Sequence, residues 1–218
     1  GPLCGEIYTY VMLLSYVFLF TVTVLYSGTL AFAEVTGWNF YVVLWLMVIS
    51  VGIYTVRGGM TSVMWTNMLQ CILLVGGGTV LFLVALKHIP GGWHAMAQAN
   101  PERFHLYQPI DHPKAPFLGL IFASIGVFLF YQVGNQYMIQ RILGAKSTWD
   151  GLIGLIFSGF INFLRPLTTS FLGLVVFHWI MVMKKAEPLA NPDTAFPFAL
   201  REFAGSWGLR GFILAGFL

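Results

Sequence analysis

The chain has 218 residues, 58% of them hydrophobic and only 9% charged, and its mean hydropathy is +0.80. A soluble domain carries about 25% charged residues, so this composition cannot clothe a globule in polar surface and implies lipid as the solvent. The net charge of +3 is small and spread out, which excludes a nucleic-acid groove.

A bilayer crossing needs about 20 mostly apolar residues. In chain order the expected spans are Tyr8–Phe32, Phe40–Val56, Thr61–Leu86, Phe117–Leu143 and Leu152–Met183, with a sixth starting near Leu209. The first span carries only mildly polar side chains (Tyr16, Thr23, Tyr26, Ser27, Thr29), which read as packing groups. The "RGG" at Arg57–Gly59 divides the second span from the third. In the third, Thr66, Asn67, Gln70 and Cys71 fall within about a turn, and Gly76–Gly78 permits close backbone packing. Asn67 and Gln70 read either as interhelical glue or as part of an ion path.

Residues 87–116 form a proline-rich connection that holds four of the five histidines. The histidines have no metal-ligand spacing, and Cys4 and Cys71 have neither metal spacing nor an evident pairing. In the fourth span, a regular helix sorts the polar residues into two columns. Tyr131 and Asn135 are four apart, with Phe128 one turn before, while Gln132, Gln136 and Gln140 lie about 100° round. One such column is ordinary helix–helix glue; two adjacent amide columns point to a hydrophilic cavity wall, with the Tyr131–Asn135 column expected to face the solute and Gln136 at its edge.

In the fifth span, Ser158, Asn162, Arg165 and Thr169 recur at three- and four-residue steps. An arginine near the midplane of a span is costly, so Arg165 needs a water-filled cavity, a carboxylate or a solute. Pro166 is expected to kink the helix there. Residues 184–206 form the second long connection, with Asp193 or Thr194 as the expected N-cap of a short helix. The chain opens without an initiator methionine and ends within an apolar run, so it reads as an internal piece of a longer protein, with 1–218 as one incomplete transmembrane domain. No acid–histidine pair stands at helical spacing inside a span, which argues against an enzyme.

These stretches resemble the sodium/solute symporter family, which contains the sodium–glucose cotransporters. "TGWNFYVVLWLMVISVGIYTVRGGMTSVMWTNMLQ" is similar to the family's third-to-fifth core helices, with its "T-x-x-G-G" turn and "[WY]-T-[DN]-x-x-Q". "YQVGNQYMIQRILGAKS" resembles the sixth core helix and the turn after it, and "DTAFPFALREFAGSWGLRGFILAGFL" the short external helix and the start of the eighth. The resemblance implies an all-α, LeuT-type five-plus-five inverted repeat with solute and ion sites between the repeats. It implies sodium-coupled symport of a sugar or similar small polar solute, with Na+ ligated mainly outside this piece. The basic residues alone do not orient the chain; the resemblance puts the short loops in the cytoplasm, and implies a multi-pass protein of the plasma or inner membrane.

By resemblance, Phe128 stands where a sugar-contacting asparagine is found and Tyr131 where the gating tyrosine is found. Asn135 and Gln136 fill the family's "NQ" or "DQ" pair, Asn162 replaces a sugar-binding lysine, and Asn67 replaces an aspartate linked to sodium. Losing the lysine weakens a glucose or galactose assignment, while Arg165 restores a cation three residues on, favouring a carboxylate or a polyol. The alternatives are a membrane sensor module built on the same fold and sodium-independent transport of an organic anion.

Overall fold

The structure, a computed structural model, describes residues 1–105, 107–112, 116–205 and 207–217, leaving the side chains of Gln132, Val133, Trp207 and Phe217 outside the description. The first apolar stretch folds as a single helix, α1 (Pro2–Thr36). Pro2 sits at its first position, where no amide donor is needed, and Gly37 ends it at φ 74°, its amide donating to the Ala33 carbonyl at 2.8 Å. One wide turn, Tyr16–Phe20, interrupts the α register, and the Thr21 hydroxyl reaches back five residues to the Tyr16 carbonyl.

Helix α2 (Phe40–Lys87) starts at Asn39, whose side chain accepts from the Tyr41 amide at 2.9 Å. Drawn straight, its 48 residues would run about 72 Å, more than twice the hydrocarbon thickness. The backbone leaves the helical region at Gly59, with φ 56° and ψ −152°, a conformation only glycine adopts readily. The two segments, 40–58 and 60–87, are therefore about 28 Å and 42 Å long, each enough for one crossing. The expected second and third spans are thus one element divided where "RGG" stands.

After α2 come a short helix α3 (Gly92–Ala99) and a tighter turn, Pro101–Phe104, with Trp93 edge-on to Phe104. Lys114, within the connection 87–116, lies outside the described residues. Helix α4 (Phe117–Leu129) leads through a wide turn to α5 (Gln136–Leu143) and then α6 (Thr148–Asn162). Ser147 caps α6: its oxygen accepts from the Asp150 amide at 3.1 Å, and its hydroxyl donates to the Asp150 carboxylate at 2.6 Å. Gly151 lets the start of α6 approach Ile142, where an added Cβ would lie 3.3 Å from Ile142 Cγ2.

Helix α7 (Arg165–Val182) is followed by α8 (Ala195–Phe203) and α9 (Trp207–Leu214). The expected fifth span, Leu152–Met183, is broken: α6 stops at Asn162, and Phe163 and Leu164 form a turn before Arg165. The cause is Pro166, which has no amide to continue the ladder and whose ring crowds the carbonyl four residues before it, that of Asn162. Thr169, at φ −120° and ψ −79°, breaks the register again. The N-cap of α8 is Thr194, one of the two expected residues, although its side chain makes no capping hydrogen bond there. Asn191 caps the tighter turn just before it, Pro192–Thr194, accepting from the Asp193 amide at 3.0 Å, while the Thr194 hydroxyl donates back to the Asn191 carbonyl.

By its internal contacts the chain divides into two units, Gly1–His88 with Leu167–Leu218, and Ile89–Pro166. The first unit has a core of Val43, Leu81 and Ala85 from α2, Leu172 and Val175 from α7, Ala199 and Leu200 from α8, and Ile213 from α9, all essentially inaccessible. Its glycines set how closely the backbones approach. A Cβ on Gly77 would lie 2.5 Å from Ile213 Cγ1, and one on Gly78 would lie 2.8 Å from Thr168 Cβ, whereas one on Gly76 would meet nothing within 4 Å. Among the described residues, three helices are long and apolar enough to cross a membrane: α1, α2 and α7. The expected fourth span, Phe117–Leu143, is interrupted and contributes the shorter apolar helix α4.

Candidate solute and ion site

The polar half of the fourth span is built around a break. From Phe130 to Gly134 the chain forms a wide turn, and at Asn135 it leaves the helical region altogether, with φ −84° and ψ 110°. The change has a local cause. The carboxamide oxygen of Asn135 accepts from the Tyr137 amide at 3.0 Å, and its main-chain carbonyl accepts from Met138 and Ile139 at 3.1 Å each. Asparagine is among the best residues for that capping position, so it starts a new helix here instead of extending the old one. Gly134, just before it, adds no side chain to resist the turn.

This break corrects the two-column picture. The columns assumed an uninterrupted helix, and a residue pair four apart across a wide turn and a helix start does not share one face. Tyr131 is 43% exposed, with its ring edge-on to Phe130, whereas Asn135 is 3% exposed and its oxygen is engaged by the Tyr137 amide. Phe128 stands exposed on α4. Gln136 and Gln140 are exposed on α5, and the side chain of Gln132 lies outside the described residues.

Asn162 and Arg165 flank the second break. Asn162 is exposed at the end of α6, with its amide donating to the Ser158 carbonyl at 3.0 Å. Arg165 is exposed at the start of α7, so it begins a helix instead of lying in the middle of one. Ser158, Asn162, Arg165 and Thr169 therefore do not make the continuous helical face their spacing suggests, although the first two are linked as expected.

Asn67 belongs to the other unit. It is half-buried on α2, and its amide nitrogen is buried with no hydrogen-bond partner. Beside it, Thr66 is satisfied within its own helix, donating to the Ser62 and Val63 carbonyls at 3.0 Å. A buried amide left unpaired costs about 1–3 kcal/mol, so Asn67 has hydrogen bonding to spare. No cluster of three or more His, Cys, Asp or Glu side chains suited to a metal ion occurs among the described residues.

Two features escaped the sequence reading. The Arg141 guanidinium lies over the Tyr137 ring, 3.8 Å from its centre, and one of its terminal nitrogens is buried without a partner. Their four-residue separation on α5 was the available signal. Arg201 approaches Glu34 at 3.8 Å, and Arg210 donates to the Arg201 carbonyl at 2.6 Å, which ties α8 to both α1 and α9. Nothing local announces contacts between residues so far apart in sequence.

Helices that are apolar enough to cross a bilayer but interrupted where polar side chains gather define the class of polytopic membrane transporters. A sequence model of the sodium:solute symporter family matches residues 6–218, and the chain belongs to that family, whose members are LeuT-type membrane transporters. Similar proteins include a sodium/glucose cotransporter of Vibrio parahaemolyticus, 31% identical over 92% of this chain and 40% of its own length. A sodium/mannose cotransporter of Bos taurus is 29% identical over 88% of this chain and 36% of its own. A sodium/myo-inositol cotransporter of Mus musculus is 28% identical over 70% of this chain and 25% of its own. The chain thus spans well under half the length of these relatives.

Proposed function

We propose that the protein containing this chain is a sodium-coupled symporter that carries a sugar or a similar small polar solute across the plasma or inner membrane. Residues 1–218 form part of its single transport domain. The observation that carries the reading is the break at Phe130–Asn135, in a chain of this family, because a helix end meeting a capped half-helix start leaves terminal backbone groups available to a solute at membrane depth. The names of the relatives, cotransporters for glucose, mannose and myo-inositol, support a polyhydroxylated solute.

In this reading Tyr131 and Phe128 supply apolar and ring surface against the solute, and Gln136 offers a free amide. Asn135 positions the half-helix through its cap. Arg165 and Asn162 flank the second break, where a guanidinium reads hydroxyl pairs or a carboxylate. Asn67 lines the sodium path with a buried amide nitrogen that has no internal partner. Catalysis here means alternating access with no covalent step.

The test is uptake of labelled glucose, mannose and myo-inositol by the full-length protein in proteoliposomes. Replacing external sodium with choline should abolish uptake; uptake that continues unchanged would remove the coupling assignment. Tyr131→Ala should raise the apparent KM for solute. Wild-type uptake by both Tyr131→Ala and Arg165→Ala would remove the site assignment.

A further inference from the structure

At the end of α7 the chain folds around a cleft of about 550 Å³ lined by Ile180, Met181, Lys184, Lys185, Glu187 and Pro188. Two walls of different character meet there. Ile180 and Met181 belong to the last turn of a helix long and apolar enough to cross the membrane, and Met181 is 51% exposed. Lys184 and Lys185 follow within three residues, both exposed, and no carboxylate among the described residues pairs with either.

The backbone holds the lysines at this spot deliberately. Lys184 has φ 50°, the only non-glycine residue with positive φ among the described residues. The Met183 amide closes on the His178 carbonyl at 2.9 Å and the Lys185 amide on the Trp179 carbonyl at 3.2 Å, which locks the end of the helix. Glycine is the residue that ends helices in this conformation at least cost. A lysine in its place puts an ammonium at the mouth of the cleft.

We propose that this cleft binds the headgroup of an anionic phospholipid. Its phosphodiester lies between the Lys184 and Lys185 ammoniums, and the root of an acyl chain rests on Met181, which the buried Ile180 backs. A soluble phosphate would have no use for the apolar wall, whereas a lipid at the edge of a spanning helix meets both surfaces at once. Two lysines against Glu187 leave one net positive charge, which favours an anionic over a zwitterionic headgroup. Glu187 is an acceptor for a headgroup hydroxyl, as in phosphatidylglycerol.

The experiment is native mass spectrometry of the delipidated full-length protein titrated with phosphatidylglycerol or phosphatidylcholine, which reads lipid retention without depending on transport. Wild type should retain phosphatidylglycerol preferentially. Lys184→Ala with Lys185→Ala should weaken that retention roughly 10- to 30-fold and leave phosphatidylcholine unchanged. Lys184→Gly removes one charge while easing the backbone, so it should lose part of the retention with an unfolding temperature equal to or above wild type, which separates binding from folding. Equal retention of the two lipids by wild type, or wild-type retention by the double variant, would overturn the proposal. Displacement of phosphatidylglycerol by millimolar inorganic phosphate would also overturn it, in favour of a soluble anion.

Discussion

Gly59 is the position where a single methyl group should matter most for a purely conformational reason. A Cβ added there meets no atom within 4 Å, so Gly59→Ala creates no clash. Its φ of 56° and ψ of −152° lie where L-residues are strained by about 1–3 kcal/mol. Gly76 is the matched control: it lies inside α2, and its Cβ would also meet nothing within 4 Å. Both substitutions restrict the unfolded chain equally, by about 0.4–1 kcal/mol in favour of folding, so this gain cancels between them. Their difference therefore reports mainly the strain at Gly59. Gly76→Ala should be neutral to slightly stabilising, and Gly59→Ala should lie at least about 1 kcal/mol below it. The assay is reversible unfolding of the full-length protein in mixed micelles, titrated with a denaturing detergent and followed by tryptophan fluorescence. Equal midpoints for the two variants would refute the claim that the hinge of α2 is a glycine-only conformation.

Gly78→Ala should destabilise by about 1–3 kcal/mol, because its Cβ would lie 2.8 Å from Thr168 Cβ and Cγ2; an unchanged thermal midpoint would contradict the packing described for α2 and α7. Asn135→Ala should cost about 0.5–2 kcal/mol through loss of the cap, and Asn135→Ser should recover most of it; similar losses for both would mean that the amide acts by some route other than capping. Glu34→Gln should change stability by under about 1 kcal/mol, with the effect vanishing at high salt, because the 3.8 Å pair with Arg201 is 41% and 58% exposed. A large salt-insensitive loss would show that the contact carries more than a surface ion pair can.

The breaks of the fold were partly legible in the sequence. "RGG" and Pro166 each interrupt a helix where expected, because glycine and proline act on their own backbone whatever surrounds them. The break at Asn135 was not foreseen. Its residues stand out in the sequence as polar and unusual, but helical spacing relates them to one another only where the helix is continuous. Asparagine caps helices as readily as it lines cavities, and the residue alone does not reveal which. At α8 the position of the N-cap, Thr194, was legible, whereas the Asn191 side chain that caps the turn before it was not.

Composition determined the solvent, and apolar runs located the helices, since both follow from transfer of side chains out of water and need no knowledge of the fold. The glycines of "GGG" illustrate what remained. The sequence offers three equivalent residues, yet Gly77 meets Ile213, Gly78 meets Thr168 and Gly76 meets nothing within 4 Å. Only the rotation of α2 against its neighbours distinguishes them. The Glu34–Arg201 pair and the buried, unpaired amide of Asn67 are likewise properties of packing. Local preferences are set residue by residue, whereas partners far apart in sequence are chosen by the one arrangement that fits all the helices together.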